Sequence, residues 1–116
     1  GRYVIDDNYG GLAFEKEGER CAALFSDPDK RVMIMGNHGI LVIGETVAET
    51  FNTLYYFERA AEVYIKALQT GQKLRVLPEK IARRTASQIN NFPEQGEKHF
   101  AAIKQLLDDN CEDYAQ

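Results

Sequence analysis

The feature that most constrains this chain is a pair of four-residue apolar runs, Val32-Met33-Ile34-Met35 and Ile40-Leu41-Val42-Ile43, separated only by Gly36-Asn37-His38-Gly39. Short runs rich in β-branched side chains read as strands with both faces covered. Glycine takes positive φ with no Cβ penalty, and asparagine enters that region more easily than most residues. The chain can therefore turn sharply between the runs and project His38 from a rigid support. Gly44 closes the second strand.

The flanking segments read mainly as helix. Tyr3-Val4-Ile5 suits a short strand, and Asp6-Asp7-Asn8-Tyr9-Gly10-Gly11 has the turn chemistry of a surface loop. Glu15, Glu17 and Glu19 precede Cys21, Ala22, Leu24 and Phe25, a charged first turn that predicts a helix over 15–25. Asp27-Pro28-Asp29 ends it, because proline's ring and missing N–H resist continuation. Thr46-Val47-Ala48-Glu49 fits a capping box, opening a long helix to about Thr70 with Gly71 placed to stop it. Val47, Phe51, Leu54, Ala61, Ile65 and Leu68 form its apolar stripe. Tyr55, Tyr56, Phe57 and Tyr64 widen that stripe enough to predict burial on more than one side. Leu74 to Leu77 read as an extended connector, and Pro78 suits the start of a thinly apolar helix over 78–90. Asn90-Asn91-Phe92-Pro93 breaks it. A last helix over 94–110 places Phe100, Ile103 and Leu107 on one face, and the acidic end from Asp108 to Asp113 is expected to fray.

Bulk properties exclude several classes. A chain of 116 residues favours one domain or part of a larger one, with about two-thirds of its unfolded surface available for burial. Hydrophobic residues make up 44% and charged residues 28%, ordinary for a soluble globular protein. A net charge of -4 gives no electrostatic reason to expect nucleic acid as a partner. No apolar run approaches the roughly 20 residues of a membrane span, and no signal peptide is visible, so no membrane partner and a cytoplasmic location are expected. Cys21 and Cys111 lie far apart with no metal spacing and read as free thiols.

Few residues carry chemistry. His38 reads as a neutral imidazole offered to a divalent cation, or as a turn histidine with a local hydrogen-bonding role. One histidine does not make a site, since a catalytic zinc normally has about three protein ligands. His99, beside Phe100 and without a partner at helical metal spacing, suits a structural role. Glu58 falls on the apolar stripe and is expected to pair with a cation in the core or to face a site. Lys73, Arg75, Lys80, Arg83 and Arg84 are compatible with a phosphate, an acidic neighbouring subunit or simply a solvated face; the acidic balance favours the last. No G-x-G-x-x-G, Walker loop or Gly-x-Ser-x-Gly elbow occurs. Residue patterns alone stop at a soluble α/β chain with one well-presented histidine.

The block from Met33 to Gly44, an apolar strand, Asn-His-Gly, an apolar strand and glycine, resembles the signature of class II aldolase/adducin proteins. The likeness runs through Glu45-Thr46-Val47-Ala48-Glu49-Thr50-Phe51, Phe57-Glu58-Arg59-Ala60-Ala61 and Ala67-Leu68-Gln69-Thr70-Gly71. Weaker likeness reaches Tyr9-Gly10 and Ala102. The resemblance implies a three-layer α/β/α domain on a mostly antiparallel sheet, here its C-terminal part, and commonly a homo-tetramer. It implies enzymes that cleave or epimerise sugar phosphates and related keto acids, with a divalent metal, usually zinc, held by three histidines. His38 takes the place of the third ligand; the resemblance names no catalytic acid or base here.

The His-x-His motif that supplies the other two ligands is absent from these residues. Gly1 is therefore expected to mark a cut in a longer protein, or the start of a short form unable to bind metal in the usual way. Two functions follow from the resemblance. One is a zinc-dependent aldolase (lyase) or epimerase acting on a small phosphorylated sugar or keto compound, with this chain alone inactive. The other is an adducin-like, non-catalytic interaction or scaffold domain, in which the Asn-His-Gly turn persists after the other ligands are lost.

Overall fold

Strand β1 (Tyr3–Asp6), helix α1 (Glu15–Leu24), strand β2 (Val32–Met35) and strand β3 (Gly39–Val42) succeed one another in the first of two compact units, Gly1–Glu45. The structure, a computed structural model, describes residues 2–8, 15–92 and 94–110. β1 pairs with β2 in parallel, so the chain between them crosses over through α1. β2 pairs with β3 antiparallel, giving the order β1-β2-β3 among the described residues. The helix expected over 15–25 is present, and Phe25 and Ser26 close it with bonds to Ala22 O and Ala23 O before Pro28.

Among the described residues the sheet is mixed, with one parallel and one antiparallel pairing. Coverage also differs between its strands. β2, flanked on both sides, holds the buried hydrophobic residues of the unit, Val32 at 3% exposure and Met33 fully buried. Burying a methionine completely contributes roughly 1.5–3 kcal/mol. β3 departs from the expected two-sided cover, since Ile40 and Leu41 stay 36% and 40% exposed. The reason is position: among the described residues β3 is an edge strand, and apolar composition alone cannot supply a neighbour.

The second unit, Thr46–Gln116, contains helices α2 (Val47–Gln69), α3 (Glu79–Asn90) and α4 (Glu94–Asp109). Thr46 is extended, and its hydroxyl accepts from Glu49 N–H at 3.1 Å, the first half of the capping box. Gly71 ends α2 at φ 66, a conformation that excludes most side chains. α2 packs on α4 where Gly96 sits under the Ala48 carbonyl and Phe51 meets Phe100 at 5.5 Å. These contacts lie in the N-terminal half of α2. Further along, Val63, Tyr64, Ile65 and Leu68 are half exposed or more, so the expected burial on several sides is not found. The 16 residues of α4 cannot cover one side of a 23-residue helix and its opposite side as well. α3 buries no residue at all. The acidic segment expected to fray is helical at Asp108 and Asp109; 111–116 and Tyr9, Gly10 and Gly11 of the first loop lie outside the described residues.

Candidate functional site: the Asn-His-Gly turn

Gly36-Asn37-His38 links β2 to β3, and each residue solves a separate backbone problem. Gly36 N–H donates to Asp6 O at 2.9 Å, tying the turn to the end of β1. A Cβ on Gly36 would stand 3.4 Å from that oxygen, in ordinary van der Waals contact with it. Asn37 has φ 57, the left-handed region asparagine tolerates. His38 N–H donates to Met35 O at 3.1 Å and closes the turn. Gly39 follows at φ 151. His38 is exposed at this corner, as the sequence predicts for a histidine presented by a hairpin.

Asp6 anchors the corner from below. It is a charged residue at 3% exposure, and it is satisfied on every side. Arg20 of α1 donates Nη1 to Oδ1 at 2.8 Å and Nη2 to Oδ2 at 2.5 Å, a two-pronged pairing, while Asn8 N–H reaches Oδ1 at 3.1 Å. Arg20 also donates through Nε to Glu17 Oε2 at 2.9 Å. The guanidinium bonds hold the Asp6 carboxyl below its ordinary range, against the opposing pull of burial, and lower Glu17 for the same first reason. The two carboxylates raise Arg20 in return.

Asp6, Glu17 and Cys21 place three potential metal donors within 4.8 Å of one another, the group among the described residues that could hold an ion. The donor set does not fit a cation, because Arg20 already occupies both carboxylates and Nη2 lies 3.9 Å from Cys21 Sγ. A second positive charge there would face the guanidinium directly. The zinc implied by the family resemblance finds no better fit around His38, for the chain has only two histidines. The other, His99, belongs to the helical unit. Its Nδ1 lies 2.9 Å from Asn52 Oδ1, an oxygen that only accepts, so Nδ1 carries the proton. Its ring packs against Tyr55 at 4.6 Å, Phe51 at 5.4 Å and Tyr56 at 6.0 Å. The structural role expected of His99 is the one it has.

Two other expectations resolve plainly. Glu58 is exposed rather than paired in a core, because the flank of α2 that carries it stays open to water. Lys73, Arg75, Lys80, Arg83 and Arg84 are all exposed, and Arg83 pairs with Glu79 one helical turn away, an arrangement that suits a solvated face. Sequence reasoning missed Asp6 and Arg20. The Glu17–Arg20 pair has a helical i, i+3 signature, but nothing in sequence signals a bond between residues so far apart.

A mixed sheet that aims a histidine from an Asn-His-Gly hairpin, followed by a long capped helix, defines an α/β class with a recognisable corner. The chain belongs to the class II aldolase/adducin family: the family described as "Class II Aldolase and Adducin N-terminal domain" matches residues 1–65. It is 34% identical to protein hu-li tai shao of Drosophila melanogaster over 96 residues, 82% of this chain and 8% of that protein. Gamma-adducin of Homo sapiens is 30% identical over 61 residues, 53% of this chain and 9% of that protein. Human beta-adducin is 30% identical over 44 residues, 38% of this chain and 6% of that protein. The chain therefore spans less than a tenth of the length of these relatives. No solved structure matches. Among the described residues, no helix is long and apolar enough to cross a membrane.

Proposed function

We propose that this chain acts as an adducin-like, non-catalytic interaction domain within the class II aldolase/adducin family. The observation that carries the reading is the donor set. One exposed histidine stands on the hairpin, and the cluster of metal-type donors found among the described residues is closed by Arg20. The matched relatives named as adducins support it. So does the abundance of exposed apolar surface on α2 and α3, which suits contact with other chains better than enclosure of a small substrate. In this reading residues 1–116 form part of a three-layer α/β/α domain that assembles as a homo-oligomer in the cytoplasm.

A second reading rests on the exposure of His38. On a rigid corner, the ring is placed to serve as the third ligand of a zinc-dependent aldolase or epimerase if another segment brings two more imidazoles. Calorimetric titration of the full-length protein with zinc separates the two. The interaction reading expects only weak binding, because an imidazole without two further histidines cannot close a site. Micromolar or tighter binding that His38→Ala abolishes would overturn it in favour of the metal-dependent enzyme.

A further inference from the structure

Helix α3 carries a hydroxyl unlike any other in the chain. Of the seven serines and threonines, Ser87 is the one with a basic residue three positions before it, Arg84, and Arg83 stands one position further back. No acidic residue lies between Lys80 and Asn91, although the chain as a whole has a net charge of -4. Lys80, Arg83 and Arg84 precede Ser87 by seven, four and three positions, so helical spacing sets all four on one face. Ile81, Thr85 and Ile89, four apart, mark the other face. Lys80, Arg83, Arg84 and Ser87 are exposed. That exposure does not depend on what covers the apolar face, because a cluster of cations is costly to take out of water.

We propose that Ser87 is a phosphorylation site for a serine/threonine protein kinase that reads arginine on the N-terminal side of its target. Kinases of this kind choose substrates by charge pattern. Arg84 and Arg83 supply the positive side of that pattern, and the acid-free segment around them presents nothing to repel an acidic cleft. In the transfer, Ser87 Oγ attacks the γ-phosphorus of magnesium-bound ATP and gives its proton to the kinase's aspartate. The bond from that phosphorus to the bridging oxygen breaks, and its electron pair leaves with ADP. Access is the second requirement, because a kinase cleft takes its substrate segment extended. α3 meets it: the helix has 12 residues, buries no side chain and starts at Pro78 with no side-chain cap bond. Opening such a helix locally costs little. Once formed, the phosphate lies one turn beyond Arg83 and Arg84, whereas Arg83 Nη2 otherwise donates to Glu79 Oε1 at 2.6 Å one turn earlier. The phosphate competes for that guanidinium and offsets the positive charge of the face.

The inference goes beyond the interaction reading and stands on α3 alone. Full-length protein incubated with magnesium, ATP and calmodulin-dependent protein kinase II, an enzyme directed to Arg-x-x-Ser, is expected to take up phosphate at Ser87, located by mass spectrometry of the peptide that carries it. The kcat/KM at Ser87 should fall within about tenfold of the value for a synthetic Lys80–Asn91 peptide, the ratio expected of a marginal helix. Ser87→Ala should remove the modified peptide. Arg84→Gln keeps the hydroxyl and should lower kcat/KM at Ser87 about tenfold or more, with helix content by circular dichroism unchanged. Phosphate on Thr85 in place of Ser87, equal rates for Arg84→Gln and the parent, or a folded protein left unmodified whether or not the peptide reacts overturns the proposal.

Discussion

At the scale of single residues, the position of His38 depends on a residue that shares no motif with it. The Asp6 carbonyl takes the Gly36 N–H, and the Asp6 carboxylate is in turn held by Arg20. Removing Arg20 strands a buried carboxylate, which is worse than lacking both partners. Arg20→Gln is expected to destabilise the sheet unit, and adding Asp6→Asn should recover part of the loss in a double-mutant cycle. The pH dependence follows from the direction of the Asp6 shift. Its folded pKa lies below the ordinary value, so its contribution is present above the unfolded pKa and is lost as pH falls through the folded one. Arg20→Gln lifts the folded pKa and removes that contribution. Acid titration followed by circular dichroism should place the unfolding midpoint of the variant at higher pH than that of the parent chain. The Gly-Asn-His-Gly turn was legible in sequence because φ preferences are local. The Asp6–Arg20 bond was not, because it joins side chains that only the strand-to-helix crossover brings together.

At the scale of elements, every segment that sequence patterns marked as strand or helix within the described residues forms, with ends shifted by a residue or so. Thr46 and Gly71 set the ends of α2 by capping chemistry that acts within one helical turn. What periodicity could not show is which apolar face is used. α4 takes the face of α2 that carries Ala48, Phe51, Asn52 and Tyr55, and His99 closes that contact with one hydrogen bond and three ring contacts. His99→Leu keeps the apolar bulk but strands the Asn52 oxygen and loses the T-shaped packing on Tyr55. It should cost the helical unit about 1–3 kcal/mol, read as a lower midpoint in urea denaturation of the helical signal. The stripe that includes Phe51 continues through Leu54, Ile65 and Leu68, which had an equal claim on a partner from spacing alone yet stay exposed.

At the scale of the whole molecule, stability is distributed unevenly, and hydrogen exchange should map it. The Val32 and Ile34 amides, in the central strand, are expected to be among the slowest to exchange. α3 has 12 residues and no buried side chain, near the length at which isolated helices are marginal in water. Its amides should show protection factors on the order of tenfold or less under the same conditions. Strong protection throughout α3 would mean that its amphipathic face has a partner in solution. The sequence by itself determined the element order, the reversal at Asn37, the caps of α2 and the family, because each rests on interactions within a few residues or on a contiguous motif. Tertiary structure alone decided that Arg20 closes the acidic cluster against a metal, that β3 is an edge among the described residues and that α4 covers only the N-terminal half of α2. Those outcomes depend on which distant surfaces meet, and hydrophobic burial is non-directional, so an apolar pattern demands cover without naming its source.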